Sequence, residues 1–175
     1  SQGALLNITQ VASDCKVDRK TVESYFSLIE DLLLSVRVPS FTRRAKRRVT
    51  GHPKFYFFDV GVFRTLRPRG PLDAAEEIEG AALETLVFQE IRALNDYLRL
   101  GYGIHYWRTA SGHEVDFVLY GERGLIAVEV KRASTLRGED YRSLAPFLED
   151  YPMAKAWLVH AGHKSVTEGA SEPCL

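Results

Sequence analysis

Hydrophobic positions near the N-terminus recur at helical spacing and are separated by clear turn and capping signals. Ile8, Val11 and Ala12 form a short apolar face, and residues 15–17 then have the composition of a turn. Asp18 is a typical N-cap for a second helix whose apolar residues follow the i, i+3, i+4, i+7 rule. Those apolar residues are Val22, Tyr25, Phe26, Ile29, Leu32 and Leu33. The pattern predicts a helix-turn-helix.

Beyond the second helix the spacing changes to that of strands. SVRVPSF (35–41) and KFYFFDV (54–60) flank the polar tip TRRAKRRVTGHP (42–53), which predicts a winged helix-turn-helix over residues 1–66. RPRGPLD is rich in Pro, Gly and Arg, so we expect a linker over residues 67–78.

Residues 79–175 are predicted to form a separate α/β unit. A long amphipathic helix ends near residue 98, and its apolar side is predicted to carry Leu83, Leu86, Val87, Ile91, Leu94 and Leu98. Three alternating strands follow, GIHYWRT, HEVDFVLY and LIAVEVKRA, then a helix over residues 137–151 and a fourth strand, AKAWLVH. The predicted order is α-β-β-β-α-β, with a polar tail after residue 160 that we expect to fray.

Composition and charge narrow the functional classes. The chain has 175 residues, 45% of them hydrophobic, so it can bury a core, and it has no run of about 20 apolar residues. We therefore expect no membrane segment and a cytoplasmic protein. Lys plus Arg equals Asp plus Glu at 23 each, which excludes a globally basic nucleic-acid binder. Residues 1–60 nevertheless hold 10 Lys and Arg against 6 Asp and Glu, so any basic surface is N-terminal.

The stretch HEVDFVLYGERGLIAVEVKRA carries charges inside apolar strands. Regular alternation places Glu114, Asp116 and Val118 on one face of the first strand. It places Glu129 and Lys131 together on one face of the next strand. If Asp116 lies near Glu129, two carboxylates and an ammonium meet, a set that suits Mg²⁺ or Mn²⁺ and phosphodiester hydrolysis. A structural ion network is the alternative.

The same residues resemble a known signature. Asp116, a spacer of twelve residues and Glu129-Val130-Lys131 resemble the D-(x)n-(D/E)-x-K motif of the PD-(D/E)XK nuclease superfamily, whose core has the order α-β-β-β-α-β. The resemblance implies a restriction-endonuclease-like fold with Asp116 and Glu129 as metal ligands. It also implies that the carbonyl of Val130 can add a ligand and that Lys131 is catalytic.

Many members of that superfamily use a glutamate on the first helix as well. Glu84 is the best match, because Gly80, four residues earlier, would let the helix approach the sheet closely. An ordinary acid on the helix surface is the alternative.

Nearly the whole chain is similar to the C-terminal region of a widespread bacterial and archaeal family of AAA-type ATPases. The similarity lies in LLNITQVASDCKVDRKTVESYF, PKFYFFDVGV, EGAALETLVFQEI, YWRTASGHEVDFVL and IAVEVKRA. The resemblance implies a preceding P-loop domain, and because this chain has no GxxxxGK[ST] motif, ATP is expected to bind in that domain. It also implies a further strand and helix beyond Leu175.

Cations in the first 60 residues, together with one strand-end arginine, are candidates for contacts with DNA. Those early in the second helix would reach base edges, those in the tip would reach phosphates, and a strand-end guanidinium could clamp a phosphate. The candidates are Arg19, Lys20, Arg43, Arg44, Lys46, Arg47, Arg48 and Arg108, with Lys54 at the end of the tip. The alternatives are a solvated loop or a surface that docks the second unit or the ATPase domain.

These expectations lead to one function and two alternatives. The chain is predicted to be a divalent-metal-dependent DNA endonuclease or DNA-binding module at the C-terminus of an AAA-type ATPase. A non-catalytic nucleic-acid or protein-partner sensor that regulates the ATPase domain is the first alternative, and a structural interaction module is the second. Assembly into a homo-oligomer is left open.

Overall fold

The computed structural model describes residues 2–66 and 75–162, which form five helices and two sheets of a mixed α/β protein. The N-terminal elements are β1 (Ala4–Leu5), α1 (Ile8–Cys15), α2 (Arg19–Asp31), β2 (Ser35–Val38), β3 (Lys54–Phe57) and α3 (Val60–Leu66). They are followed by α4 (Ala75–Tyr97), β4 (Gly103–Arg108), β5 (Glu114–Gly121), β6 (Gly124–Lys131), α5 (Ala145–Asp150) and β7 (Lys155–His160).

Two sequence predictions fall partly or wholly outside the described residues. Positions 67–74 of the predicted linker are not described, and its last four positions, 75–78, are the first turn of α4. The polar tail from residue 163 onward also lies outside the described residues.

Side-chain caps define the two N-terminal helices. Asn7 Oδ1 accepts a hydrogen bond from the Gln10 amide (3.1 Å), and α1 ends at Lys16, which has a left-handed φ of 55°. Asp18 Oδ1 accepts from the Thr21 amide (3.0 Å) and starts α2. The two predicted helices, the turn between them and the Asp18 cap are confirmed. The predicted apolar positions Leu32 and Leu33 are wrong, because α2 ends at Asp31 and both side chains are exposed.

The first sheet has the strand order β1-β3-β2 and is antiparallel throughout. Strands β2 and β3 are those predicted on either side of the basic tip, whereas the two-residue β1 was not predicted. β3 stops at Phe57, three residues before the end of the predicted strand. It stops there because Asp59 Oδ1 accepts from the Val62 amide (3.1 Å) and caps α3.

The second sheet has the order β4-β5-β6-β7, with antiparallel pairs up to β6 and a parallel β6-β7 pair. The predicted element order is confirmed. α5 is shorter than predicted, because residues 137–144 form successive turns and the helix begins only at Ala145, next to Pro146.

The two faces of this sheet carry two hydrophobic cores, and both cores include N-terminal residues. On the α4 face, Phe88 stacks on Phe117, and Val38 and Tyr56 belong to the same cluster. On the α5 face, the cluster contains Trp107 and Phe147 together with Phe41 from the segment after β2. The two predicted units therefore pack against each other through shared cores.

The apolar side predicted for α4 is wrong for three of its leucines. Leu86, Leu94 and Leu98 are 48%, 52% and 55% exposed. The predicted Val87 and Ile91 do pack against the sheet, and the fully buried positions beside them are Ala82, Thr85 and Phe88. Leucine spacing alone did not identify these buried positions, because they are small, polar or aromatic residues.

The connection between β2 and β3 does not extend into solvent as a free loop, because it is bonded to the second sheet. Ser40 forms a parallel bridge with Tyr106 and Val49 an antiparallel bridge with Thr109, so the segment runs along the β4 edge of the second sheet. The Phe41 amide donates to the Tyr106 carbonyl at 2.7 Å. In the described part of the chain, no helix is both long enough and apolar enough to span a bilayer.

Candidate functional site

A β-bulge in β5 places Asp116. Pairing of β4 with β5 runs from His105 opposite Val118 to Trp107 opposite Val115, so two β5 residues, Asp116 and Phe117, lie across from a single β4 residue. Regular alternation predicted Asp116 and Val118 on one face, opposite Val115. The structure contradicts this, because Val115 and Val118 lie in the same core. The extra residue changes the direction of the Asp116 side chain.

Asp116 and Glu129 are neighbours across β5 and β6, as expected. Phe117 pairs with Val128, so the next position of the same register brings Asp116 to Glu129. Asp116 Oδ2 accepts a hydrogen bond from the Val130 amide at 2.8 Å. Because the N–H and C=O of one strand residue point to the same side, the Val130 carbonyl also faces β5.

Glu129 and Lys131 share a face of β6, which confirms the alternation predicted for this strand. Lys131 Nζ donates to Glu129 Oε1 at 2.7 Å. The other carboxylate oxygen, Glu129 Oε2, is buried and has no hydrogen-bond partner among the described residues. A buried acceptor without a donor is costly, although the Ser143 hydroxyl is close enough to Glu129 to lower its pKa. A bound cation is one group that would satisfy this oxygen.

Lys54 lies in the middle of the acids, with only 2% of its surface exposed. Its Nζ is 2.5 Å from Glu114 Oε1, 3.3 Å from Glu84 Oε1 and 3.8 Å from Asp116 Oδ1. The sequence prediction placed Lys54 at the end of the basic tip as a phosphate contact. The structure contradicts that position, since the side chain is turned inward from the first residue of β3.

Glu84 reaches this cluster from α4. Tyr56 Oη donates to Glu84 Oε1, the same oxygen that contacts Lys54. Gly3 packs on the carboxylate, because a Cβ at this position would lie 3.1 Å from Glu84 Oε1. The reason given for Glu84 from sequence is wrong, since a Cβ at Gly80 would meet nothing within 4 Å.

Burial and mutual repulsion dominate the electrostatics of the acids. Burial, followed by the carboxylates of Glu84 and Glu129, raises the pKa of Asp116 to about 8, against the opposing effects of Lys54 and the Val130 amide. Burial also raises the pKa of Glu129, although Lys131 counteracts it. The two lysines therefore supply too little positive charge to offset the burial of Asp116 and Glu129.

The two lysines respond in the opposite way to the same surroundings. Burial lowers the pKa of Lys54, but the carboxylates of Glu84, Asp116 and Glu114 outweigh it, so the pKa is raised. Burial also lowers the pKa of Lys131, but its hydrogen bond to Glu129 and the charges of nearby carboxylates together outweigh burial, so the pKa is raised. Both side chains are cations at neutral pH.

The acids present a limited set of metal ligands. Within residues 2–66 and 75–162, no three His, Cys, Asp or Glu side chains form a group that could hold a metal ion. Asp116 and Glu129 offer two carboxylates, and Mg²⁺ usually takes only one or two from a protein and completes its shell with water. The unpartnered Glu129 Oε2 and the chemistry of the pair fit such a cation.

Arg108 lies beside the acids but is engaged. Its guanidinium contacts Glu114 Oε2 at 3.1 Å, and Glu114 uses its other oxygen for Lys54. The side chain of Arg108 is partly exposed, so its predicted phosphate contact stays a prediction.

The candidates on α2 lie on its exposed surface. Arg19 pairs with Glu23 at 3.1 Å, one turn along the helix. Lys20 lines an open groove that also contains two acids. The other groove residues are Glu23, Ser24, Ser27, Leu28 and Asp31. Their predicted contact with DNA is not tested by this arrangement.

The tip cations divide into two groups. Arg47 binds Asp150 (3.0 Å) and Glu149 (2.6 Å) near the end of α5, and Lys46 Nζ donates to the Glu149 carbonyl at 3.3 Å. Arg43 stacks over Tyr120, with its guanidinium carbon 4.8 Å from the ring centroid. These contacts favour the docking alternative for the three residues. The remaining tip candidates are exposed, namely Arg44 and Arg48.

Sequence reasoning missed two residues of the site, Lys54 and Tyr56. Both belong to β3. Because they are two positions apart, they lie on the same face of the strand, and both side chains reach the second sheet. A lysine at the start of an aromatic strand, in KFYFF, was the available signal.

Two family models match the chain. Residues 79–173 match the model described as Domain of unknown function (DUF4143), and residues 1–73 match the model described as Domain of unknown function (DUF8612). A search of curated proteins and a search of solved structures each found no match. Because the first match covers more than half of the 175 residues, the chain belongs to the DUF4143 family of domains of unknown function.

Proposed function

We propose that this chain is the C-terminal portion of an AAA-type ATPase and that its second sheet carries a divalent-metal-dependent site for DNA phosphodiester cleavage. The observation that carries the proposal is the Asp116–Glu129 pair, in which Glu129 Oε2 is buried without a hydrogen-bond partner among the described residues. A hard divalent cation would satisfy that oxygen and neutralise both acids.

The family and the fold support the setting of this site. Domains of the DUF4143 family are commonly found in AAA-ATPase-associated proteins, so ATP would bind in a preceding domain of the full-length protein. The order α4-β4-β5-β6-α5-β7 agrees with the one expected of a restriction-endonuclease-like, PD-(D/E)XK core, which supports the proposal. The helices α1 and α2 with the β1-β3-β2 sheet are compatible with a winged helix-turn-helix in front of it.

Each predicted residue has a role that its contacts allow. Asp116 and Glu129 would hold Mg²⁺ or Mn²⁺, with the Val130 carbonyl on the same side of β6. When bound, the cation would supply Lewis-acid chemistry for phosphodiester hydrolysis. Lys131 is held at Glu129 and keeps its proton, so its ammonium can offset charge on a phosphate. Glu84 is a helper that Lys54 and Tyr56 hold in place.

Calorimetric titration combined with a nicking assay tests the proposal. We expect the 175-residue chain to bind Mn²⁺ saturably at millimolar concentration and to nick plasmid DNA, and Asp116→Asn to abolish both. Glu122→Gln, at the exposed β5–β6 turn, is the matched control and should behave as wild type. Absence of Mn²⁺ binding at about 10 millimolar, both by this chain and by a Lys54→Gln variant that lacks the resident ammonium, would rule out the metal site.

A non-catalytic sensor that regulates the ATPase domain is the second candidate function. The observation in its favour is Lys54, because a resident ammonium already neutralises part of the acid cluster without any metal. The same experiment separates the two functions. Salt-sensitive DNA binding that persists in EDTA, with no nicking when Mn²⁺ is added, would favour the sensor.

A further inference from the structure

The cation at the centre of the acid cluster comes from the N-terminal segment and not from the second sheet. Lys54 is the first residue of β3, and its Nζ lies between Glu84 of α4 and the β5 residues Glu114 and Asp116. Only 2% of the Lys54 surface is exposed. A single side chain therefore joins the first sheet to three acids of the α/β unit.

Asp116 has one oxygen available for a cation. Its Oδ2 accepts the Val130 amide at 2.8 Å, which leaves Oδ1, the oxygen 3.8 Å from Lys54 Nζ. A divalent ion on Oδ1 would lie about 2 Å from that oxygen. It would then be at most about 6 Å from the Lys54 ammonium, and salt screens the repulsion between two buried cations only weakly.

We propose that Lys54 occupies the cation position of the acid cluster and that a divalent cation binds Asp116 only when Lys54 leaves. The inference rests on the proposed function, since it concerns regulation of the same two carboxylates. Displacement of β3 would free Asp116 Oδ1 and Glu84 together. A partner that moves the first sheet relative to α4 would thereby switch on metal uptake.

Polar contacts of β3 and β1 with α4 are few, so the main barrier to such a movement is the withdrawal of Tyr56 from the apolar core under α4. Gln2 Nε2 donates to Thr85 Oγ1 at 2.7 Å, and Gln2 Oε1 accepts from the Phe57 amide at 2.8 Å. Tyr56 Oη donates to Glu84, the same residue that holds Lys54. β1 itself pairs with β3 through only two residue pairs. β1 and Gln2 thus link β3 to α4 through a small number of hydrogen bonds.

Metal titration of a charge-removal variant tests the proposal. Lys54→Gln should bind Mn²⁺ at least tenfold more tightly than wild type, because it removes the competing charge and leaves the carboxylates in place. Arg123→Gln removes one exposed positive charge at the β5–β6 turn and should leave the affinity unchanged. Equal or weaker binding by Lys54→Gln overturns the inference but not the metal site, provided that wild type binds. Failure of both proteins to bind overturns the metal site and the inference together.

Hydrogen exchange of the wild-type chain gives a second test that does not depend on how well the variant folds. Saturating Mg²⁺ should speed amide exchange at least threefold in peptides covering Gln2–Leu6 and Lys54–Phe57, because Lys54 no longer ties β3 to the acids. Peptides from β6 should not speed up. Bound Mg²⁺ with no change in the β1 and β3 peptides would overturn the proposal.

Discussion

Four carboxylates and two lysines share a small region around the β5 bulge, and their energetics depend on how the charges are paired. Lys54 contacts Glu84 and Glu114, and Lys131 contacts Glu129. The contact of Asp116 with Lys54 is longer, at 3.8 Å, and Asp116 also accepts one hydrogen bond from a backbone N–H. Burial, together with the nearby charges of Glu84 and Glu129, is the physical reason for the raised pKa of Asp116, because one amide donor and a shared cation compensate it only in part.

Ionisation of Asp116 should therefore lower the stability of the folded protein as the pH rises. The pKa of Asp116 is raised from 3.8 in an unfolded chain to about 8 in the folded protein. A raised acid pKa means that the favourable contribution is complete below about pH 4 and is lost as pH approaches 8. The unfolding free energy of Asp116→Asn minus that of wild type should therefore increase from pH 5 to pH 8. Urea denaturation in EDTA at each pH measures this difference.

Glu122→Gln serves as control for this pH series, because the residue is exposed at the β5–β6 turn. Its difference from wild type should stay constant over the same range. A constant difference for Asp116→Asn as well would mean that the carboxyl is ionised throughout, contrary to the prediction.

At this scale the sequence predicted the acids but not their neighbours. The spacing between Asp116 and Glu129-Val130-Lys131 was sufficient to place these residues together, since two paired strands joined by a tight turn have one plausible register. The KFYFF stretch was a signal for Lys54, but the acids that it contacts could not be identified from sequence. Its contacts with Glu84 and Glu114 cross 30 and 60 positions of the chain, and a cation beside five other tip cations has the composition of a solvated loop.

Strands and helices of this fold differ in how clearly their sequence specifies them. β4 to β7 lie within two residues of the predicted segments, because β4, β5 and β6 have apolar side chains that are buried and β7 keeps a run of apolar residues at its end. The bulge in β5 was not predictable, since one added residue leaves no compositional trace in HEVDFVLY. The start of α5 was placed too early, because residues 137–144 form turns without a helical repeat of hydrogen bonds.

The orientation of α4 leads to a testable difference between two of its large apolar residues. Phe88 is buried and stacks on Phe117, whereas Leu94 is more than half exposed. Phe88→Ala should cost roughly 3–5 kcal/mol of unfolding free energy through the cavity that it leaves. Leu94→Ala should change it by less than about 0.5 kcal/mol, since an exposed position loses little. Urea denaturation at constant pH measures both.

The apolar side predicted from sequence implies a different result. If Leu94 faced the sheet, Leu94→Ala would cost roughly 2–5 kcal/mol, similar to Phe88→Ala. A large effect at Leu94 would therefore mean that the helix is rotated from the orientation described, or that another chain covers the leucines.

On the scale of the whole molecule, the N-terminal segment and the α/β unit depend on each other. Val38 and Tyr56 fill the core under α4, and Phe41 packs on Phe147 under α5. Arg47 binds the acids at the end of α5. Contacts of this kind on both faces of the second sheet favour a single cooperative unfolding transition.

A mutation in the N-terminal segment should therefore be detected by a probe in the α/β unit. Val38→Ala should lower the unfolding free energy by about 2 kcal/mol, because Val38 is fully buried. Trp107 is buried on the α5 face, and replacing the half-exposed Trp157 by Phe leaves it as the single tryptophan, whose fluorescence can be excited selectively. In this background, the fluorescence and circular dichroism midpoints should shift together.

Separate midpoints would show that the two segments unfold independently. The exposed Val17→Ala variant is the matched control, and it should leave both midpoints nearly unchanged. Sequence alone predicted two units with a linker, because it contains no signal for packing between elements that are 50 or more positions apart. Shared cores arise only when the segment after β2 pairs with β4.

The burial of Lys54 has a consequence for chemical reactivity. Acylating reagents attack the neutral amine, and this amine is both enclosed and held as a cation by the carboxylates around it. In a time course of acetylation, Lys54 should be modified last among the lysines of the described residues. Its rate would then report how often the first sheet separates from α4 in solution.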